Sequence, residues 1–132
     1  MSKGGERRFI DFADFLAQFI LELNGKSSQG WVVLVEGKRD LRALRMLGYD
    51  GGALTVATAA GQGRLKVRGA KKVVILTDMD SEGGRMGSKY QRMLSRTGVE
   101  ASLGERRRLL DASKGVFRHI ENLSRFSLAW DQ

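Results

Sequence analysis

The sequence predicts an α/β fold in which an open, mainly parallel four-stranded sheet is flanked by helices. Two Val-rich segments, WVVLV at 31–35 and KVVIL at 72–76, are unbroken apolar runs typical of parallel strands buried on both faces. Segments with apolar residues every three or four positions alternate with these runs, as in a chain of strand–helix units. The predicted helices end near glycines, which commonly terminate helices.

The first predicted element is an N-terminal helix over about residues 6–24. Its apolar residues fall on one broad face, and the pair Asn24–Gly25 predicts its end. The strand at 31–35 follows and ends at Gly37. The next segment carries leucines on one face and arginines on another, which predicts a helix that ends near Gly48.

A shorter second strand is predicted in ALTVATA at 53–59, before a glycine-containing linker with room for one helical turn. The run at 72–76 is the third strand. A helix is predicted from 81 to 98, a fourth strand in VEASL at 99–103, and a basic helical tail over about 104–127.

Length and composition limit the function classes. The chain, residues 1–132, suits a single domain, whose core we place at about 31–103. It has 23 Lys and Arg against 15 Asp and Glu, and the net charge of +8 favours a polyanionic partner, nucleic acid first. The absence of cysteine excludes disulfides, thiolate zinc sites and a Cys nucleophile. No signal peptide and no run of eighteen apolar residues is present, so we expect a cytoplasmic location and no membrane partner.

Acidic residues follow two of the predicted strands at the point where each strand ends. Glu36 follows the first strand, and Asp78 and Asp80 follow the third. Sites in open parallel sheets form beyond the carboxyl ends of the strands, and alternation along an extended chain puts the two aspartates on one side. If these strands are neighbours, three carboxylates converge, with Glu82 as a candidate fourth. A hard divalent cation such as Mg²⁺ would relieve their repulsion, because it takes oxygen ligands.

An alternative for the aspartates needs no metal. Acidic side chains near a helix N-terminus accept hydrogen bonds from its free backbone N–H groups, so Asp78 and Asp80 could cap the helix that follows. The Asp-x-Asp pattern alone fits both interpretations. The position of Glu36 at the end of a separate strand favours the metal site.

The segments VEGKRD at 35–40 and TDMDSEGG at 77–84 together resemble the Toprim domain, in which a Glu ends the first strand and an Asp-x-Asp ends the third. Topoisomerases, bacterial-type primases, OLD-family nucleases and ribonuclease M5, which matures 5S ribosomal RNA, share this domain. The resemblance covers about residues 31–103. The longer segment VEGKRDLRALRMLG most resembles the ribonuclease M5-like branch and the small stand-alone Toprim proteins of archaea.

The resemblance implies a Toprim-type sheet and Mg²⁺-dependent making or breaking of phosphodiester bonds, with Mn²⁺ as the alternative ion. Glu36 would be the general acid or base, and Lys38 and Arg39 beside it would contact a phosphate during catalysis. One position departs from the type IA topoisomerase pattern, because Gly84 stands where that pattern has a further acid. The implied metal ligands are Glu36, Asp78, Asp80 and Glu82.

Positive side chains near these motifs and in the tail are candidates for sequence-independent contacts with a nucleic-acid backbone. The alternative is a basic helix face that only contacts water. His119, the single histidine, is interpreted as a surface or partly packed residue. The candidate nucleic-acid-binding residues are Lys38, Arg39, Arg64, Arg85, Arg106, Arg107, Arg108, Lys114 and Arg118.

Two functional hypotheses follow from the sequence. The first is an Mg²⁺-dependent nuclease of the Toprim type that acts on RNA, in RNA processing, in preference to DNA. The second is a non-catalytic RNA- or DNA-binding subunit of a larger complex, and a homodimer is an alternative assembly. The sequence distinguishes neither the substrate nor the number of metal ions.

Overall fold

The computed structural model describes residues 3–61, 63–114 and 117–129; Gly115 and Val116, inside the predicted tail, lie outside these ranges. The fold is α/β, with a four-stranded parallel sheet flanked by helices. The helices are α1 (Lys3–Ser28), α2 (Lys38–Met46), α3 (Val56–Ala59), α4 (Ser81–Arg96), α5 (Gly104–Ser113) and a 3₁₀ helix (Ile120–Ala129). The strands are β1 (Trp31–Val35), β2 (Ala53–Thr55), β3 (Ala60–Gly61), β4 (Arg64–Leu65), β5 (Lys72–Ile75) and β6 (Glu100–Ser102).

The order of strands in the main sheet is β2-β1-β5-β6, and all three pairings are parallel. The chain leaves β1 to form β2 on one side, and then crosses to form β5 on the other side of β1. In the register of this central pair Leu34 lies beside Ile75. The carboxyl ends of β1 and β5 are therefore adjacent where the strand order reverses, which is where open α/β sheets bind ligands.

Side chains of β1 and β5 alternate between two hydrophobic cores, one on each face of the sheet. Val33 and Val35 pack with α1, α2, α5 and the 3₁₀ helix, whereas Leu34 and Ile75 pack with α4 and the β3–β4 hairpin. Burial on both faces explains why these strands are unbroken apolar runs.

The N-terminal helix extends to Ser28, beyond the predicted end at Asn24. The Asn24 side chain does not cap the helix: its Nδ2 donates to the Gly48 carbonyl at 3.1 Å and its Oδ1 accepts from Asp50 N at 2.9 Å. The helix ends instead before Gly30, whose φ of +95° suits glycine. Asn24, which the sequence pattern assigned to the helix end, therefore makes a tertiary contact instead.

The predicted second strand and linker also differ from the structure. β2 has three residues, because Thr55 caps α3 by accepting a hydrogen bond from Thr58 N at 3.2 Å. The helical turn thus precedes the linker, and the linker itself forms the β3–β4 hairpin. The predicted tail consists of α5 and the 3₁₀ helix on either side of the residues outside the described ranges. Within the described ranges, no helix has the length and apolarity needed to cross a membrane.

Two ion pairs join α1 to α5. Lys26 Nζ lies 2.6 Å from Glu105 Oε2, and the Glu105 side chain is 9% exposed. Arg108 lies 2.7 Å from Glu22, with both side chains 49% exposed. Burial acts to raise the pKa of Glu105, but the hydrogen bonds from Lys26 and Ser102 outweigh it and hold the pKa below its ordinary value of 4.5.

The Lys26–Glu105 pair should stabilise the fold only while Glu105 is ionised. Because its pKa is lowered by folding, this stabilisation is present above pH 4.5 and is lost as the pH falls through the lowered pKa. We expect Glu105→Gln to reduce the free energy of unfolding by about 1–3 kcal/mol at neutral pH. The difference from wild type should disappear in acid, as measured by urea denaturation across pH.

Glu22→Gln is the matched control, since it removes the exposed pair between the same helices and should cost at most about 1 kcal/mol. Equal effects of the two substitutions at neutral pH would contradict the role assigned to burial.

Candidate functional site

The carboxyl ends of β1 and β5 bring Glu36 and Asp78 together. Leu76 N donates to the Leu34 carbonyl at 2.8 Å, so pairing of the strands continues to this point. Two residues on, Asp78 N donates to Glu36 Oε2 at 2.9 Å. The two acids predicted from separate strands are therefore in direct contact.

The Asp78 carboxylate faces the segment that precedes the 3₁₀ helix. Its Oδ1 accepts a hydrogen bond from Ile120 N at 2.9 Å, and its Oδ2 lies 3.4 Å from His119 Nδ1. Met79 N donates to the Arg118 carbonyl at 2.6 Å, so the segment is bonded to the β5 end on both sides of His119.

Asp80 is the N-cap of α4. Its Oδ1 accepts a hydrogen bond from Gly83 N at 2.6 Å, which confirms the capping alternative for this residue. The capping bond fixes the side chain at the end of the sheet beside Asp78, and it uses one of the two carboxylate oxygens. The capping and metal-binding interpretations are therefore compatible at Asp80.

A close approach of α4 to Asp78 depends on Gly83. A Cβ on this residue would overlap the Asp78 carbonyl oxygen and lie 2.7 Å from the carbonyl carbon. The Thr77 hydroxyl donates to the Gly83 carbonyl at 2.6 Å, which ties the helix to the strand end. Glycine at this position thus sets the distance between the first turn of α4 and the acidic residues.

Arg106 lies beneath the acidic residues. Its Nε donates to the Thr77 carbonyl at 3.2 Å, and its terminal nitrogen donates to the carbonyls of Asp78 at 2.6 Å and Asp80 at 3.4 Å. Burial lowers the pKa of its guanidinium, although the charges of Asp80, Glu36 and Asp78 act in the opposite direction. The Arg106 side chain is buried and holds the β5–α4 loop. Its contact with nucleic acid stays a prediction.

Electrostatics distinguish Glu36 from an ordinary surface acid. Burial raises the pKa of its carboxyl, the hydrogen bond from Asp78 N lowers it, and the Asp78 charge raises it further. The net direction is upward, so a nearby positive charge would stabilise ionised Glu36.

Three residues form a candidate site for a divalent ion. Asp78, Asp80 and His119 each offer one ligand atom, and these atoms all lie within 4.8 Å of one another. An ion with bonds of about 2.1 Å separates its ligand atoms by about 3–4 Å. Two carboxylates and an imidazole are donors that first-row and magnesium-like ions accept. Of the described residues, this group contains neither Glu36 nor Glu82.

Glu82, the fourth predicted ligand, lies on the exposed side of α4. Both of its carboxylate oxygens accept from Arg85 at 2.6 Å, and its side chain is 62% exposed. The first helical turn rotates it away from Asp80, so the extended alternation used in the prediction does not continue beyond the strand end.

The other predicted cations are exposed, with different surroundings. Arg108 and Arg85 are paired with Glu22 and Glu82, and Arg39 lies 4.0 Å from Glu121. Arg64 lies in the small hairpin outside the main sheet. The exposed set is Lys38, Arg39, Arg64, Arg85, Arg107, Arg108, Lys114 and Arg118.

An open cavity with a volume of about 410 Å³ lies next to Asp80. Its wall includes Ser81 at the start of α4, the cations Lys114 and Arg118, and the apolar side chain of Phe117. The cavity thus joins an acidic residue of the candidate site to two of the predicted nucleic-acid-binding cations.

His119 is the site residue that sequence reasoning missed. Its position depends on the return of the chain over the sheet, far along the sequence from both strand ends. The local signal is the pair of buried neighbours in FRHI: Phe117 and Ile120 are 6% and 0% exposed, while the His119 side chain is 49% exposed. That pattern is compatible with many surface turns.

Comparisons with known proteins identify relatives of the chain. It is 35% identical over 118 residues to a UPF0292 protein of Archaeoglobus fulgidus, covering 88% of this chain and 91% of that protein. The chain belongs to the UPF0292 family. A UPF0292 protein of Methanosarcina acetivorans is 32% identical over 111 residues, which cover 82% of this chain and 76% of that one.

A solved structure of a protein from Aquifex aeolicus has a similar fold. It is 29% identical, with a TM-score of 0.59, and the match covers 80% of this chain and 94% of that one. A search against models of known protein families finds no match.

Adding a side chain at Gly83 should disrupt the site and the fold together. We expect Gly83→Ala to lower the free energy of unfolding by about 1–3 kcal/mol or more, because its Cβ would overlap the Asp78 backbone. Urea denaturation measures this change.

The neighbouring Gly84→Ala is the control. Its Cβ would lie 3.6 Å from the Arg106 guanidinium, an ordinary contact, and alanine favours the helix by about 1 kcal/mol. If Gly83→Ala proves as stable as Gly84→Ala, the close approach of α4 to Asp78 is not required.

Proposed function

We propose that this UPF0292 protein carries out divalent-metal-dependent phosphodiester chemistry on nucleic acid, as a nuclease with a Toprim-type fold. RNA is the favoured substrate, because the segment after β1 resembles the ribonuclease M5-like branch. Mg²⁺ is the proposed ion, with Mn²⁺ as the alternative.

One observation carries the proposal: the carboxylates that follow β1 and β5 meet at the reversal of strand order. Asp78 N is bonded to Glu36, and Asp80 is held beside Asp78 by its capping bond. Acids that follow separate strands need this sheet order to meet, so their contact is a property of the fold rather than of one loop.

Each acid has a distinct role in the proposal. Asp78 and Asp80 hold the ion, which supplies positive charge next to a phosphate. Glu36 binds Asp78 N through Oε2, so its other oxygen is the one that exchanges a proton with water or with the leaving oxygen. In hydrolysis, water adds to phosphorus, the P–O bond breaks, and the leaving oxygen receives a proton.

The exposed cations give the substrate its path to these acids. Lys114 and Arg118 line the cavity next to Asp80, where a phosphate of the backbone would lie between them and the acids. Lys38 and Arg39 are exposed at the start of α2, directly after Glu36 and Gly37. Exposed cations at two places, beside Asp80 and directly after Glu36, favour a substrate with several phosphates.

A second candidate function is a nucleic-acid-binding subunit without catalysis. It is favoured by the internal contacts of the acids: Asp78 Oδ1 accepts from Ile120 N, Asp80 Oδ1 accepts from Gly83 N, and Arg106 supplies a fixed positive charge. Such contacts are also typical of acidic residues that stabilise a fold. Binding without cleavage would support this candidate, and association with other proteins is part of it.

Cleavage should depend on Glu36 and Asp78. In an assay with structured RNA and Mg²⁺, we expect Glu36→Gln to reduce the cleavage rate by about 10²–10⁴-fold, the usual contribution of a general acid or base. Asp78→Asn should abolish cleavage and weaken Mg²⁺ binding measured by calorimetry. RNA binding should persist in both variants if each remains folded by circular dichroism.

Glu82→Gln is the matched control. Its carboxylate lies in the first turn of α4 and pairs with Arg85, so this substitution should leave the cleavage rate unchanged. Binding of RNA without cleavage by wild type, with Mg²⁺ or Mn²⁺, would reject the nuclease in favour of the binding subunit.

RNA affinity should fall as the salt concentration rises. Lys114 and Arg118, which line the cavity, should contribute more to this salt dependence than the paired cations Arg85 and Arg108. We expect Lys114→Ala/Arg118→Ala to lower the slope of log affinity against log salt by about 1–2, as expected for loss of two phosphate contacts. The control Arg85→Ala/Arg108→Ala removes the same charge from cations already paired with acids. Equal reductions in the two variants would show that net charge, not the cavity beside Asp80, determines binding.

A further inference from the structure

We propose that His119 is a third ligand of this metal site, and that it raises the affinity of the site for first-row transition-metal dications more than its affinity for Mg²⁺. The inference rests on the metal site of the proposed function and deepens it, because it concerns which ion the site takes. A centre of carboxylates alone would favour Mg²⁺, Ca²⁺ or Mn²⁺, whereas an imidazole nitrogen suits Co²⁺, Ni²⁺, Zn²⁺ and iron.

The first argument is the distance between His119 and Asp78. Nδ1 lies 3.4 Å from Oδ2, which is longer than the range of about 2.7–3.2 Å for N–H···O hydrogen bonds. Two neighbouring ligands of one ion with bonds of about 2.1 Å are separated by about 3–3.5 Å. The spacing therefore fits two neighbouring ligands of one ion.

The second argument is that the backbone on both sides of His119 is fixed. Met79 N donates to the carbonyl of Arg118, and Ile120 N donates to Asp78 Oδ1. Phe117 and Ile120 are buried in the core shared with α1 and α2. Bonds and packing on both sides limit where the ring can lie, which is the preorganisation that a metal ligand requires.

The third argument is access. The His119 side chain is 49% exposed and that of Asp78 is 22% exposed, so an ion can reach the donor atoms from solvent. The other carboxylate oxygen of Asp78, Oδ1, accepts a hydrogen bond from the backbone N–H of Ile120, the residue after His119. Here that bond leaves Oδ2 directed toward the imidazole.

Titrations with Co²⁺ and Mg²⁺ test the inference on the intact chain. Wild type should bind Co²⁺ more tightly than Mg²⁺, and bound Co²⁺ should show the visible absorption of a site with a nitrogen ligand. We expect His119→Ala and the size-matched His119→Gln to weaken Co²⁺ binding by about 10–100-fold. Loss of a residue that only hydrogen-bonds to a metal ligand already lowers metal affinity by this factor, so loss of the ligand itself should cost at least as much. Mg²⁺ binding should change much less.

Two further variants sharpen the result. His119→Asp supplies oxygen in place of nitrogen, so it should keep Mg²⁺ binding and lose the preference for Co²⁺. Asn122→Ala is the control, because Asn122 is exposed one 3₁₀ turn beyond His119 and should leave both affinities unchanged. Circular dichroism of the metal-free variants checks that each is folded.

The outcomes separate this inference from the proposed function. Equal changes in Co²⁺ and Mg²⁺ affinity in His119→Ala, or no change in either, would overturn the role of His119. The metal site itself would still be tested by Asp78→Asn, which should weaken binding of both ions. Failure of wild type to bind either ion would overturn both proposals.

Discussion

The site depends on the contacts of one residue, Asp78, with four separate parts of the chain. Its N–H donates to Glu36 after β1, its carbonyl accepts from Arg106 on α5, and its carboxylate accepts from Ile120 N. Its backbone also lies where only glycine at position 83 allows α4 to approach. Asp78 thus contacts elements on both faces of the sheet, and the same contacts position the acidic residues.

Charge balance explains how a basic protein keeps a group of acids close together. Arg106 is buried and donates to the carbonyls of Thr77, Asp78 and Asp80, so the acids have a fixed counter-charge within the chain. That counter-charge lies on the protein side of the group. The cavity beside Asp80 is lined by the exposed cations Lys114 and Arg118, so side chains of both signs lie close together on this surface.

The sequence predicts those parts of the fold whose signal is local. Strand burial and helix periodicity locate β1, α2, β5 and α4, and parallel pairing then places Glu36 near Asp78. The predicted end of α1 at Asn24 was wrong, because the Asn24 side chain bonds to the loop after α2, a contact between residues distant in sequence. The roles of Arg106 and His119 depend on how α5 and the segment before the 3₁₀ helix pack on the strand ends. Long-range packing leaves no periodic pattern in the chain, so neither role could be predicted from it.

Residues 118–120 are hydrogen-bonded to the end of β5, and these bonds affect the order in which the candidate site forms during synthesis. Both strands, and the helix that carries Arg106, leave the ribosome before His119 does, and domains tend to fold as the chain emerges. A nascent chain that stops short of Ile120 lacks the donor for Asp78 Oδ1 and lacks the imidazole. The centre is therefore completed late, when the sheet already exists, and a truncated translation product would contain the strands without the finished site.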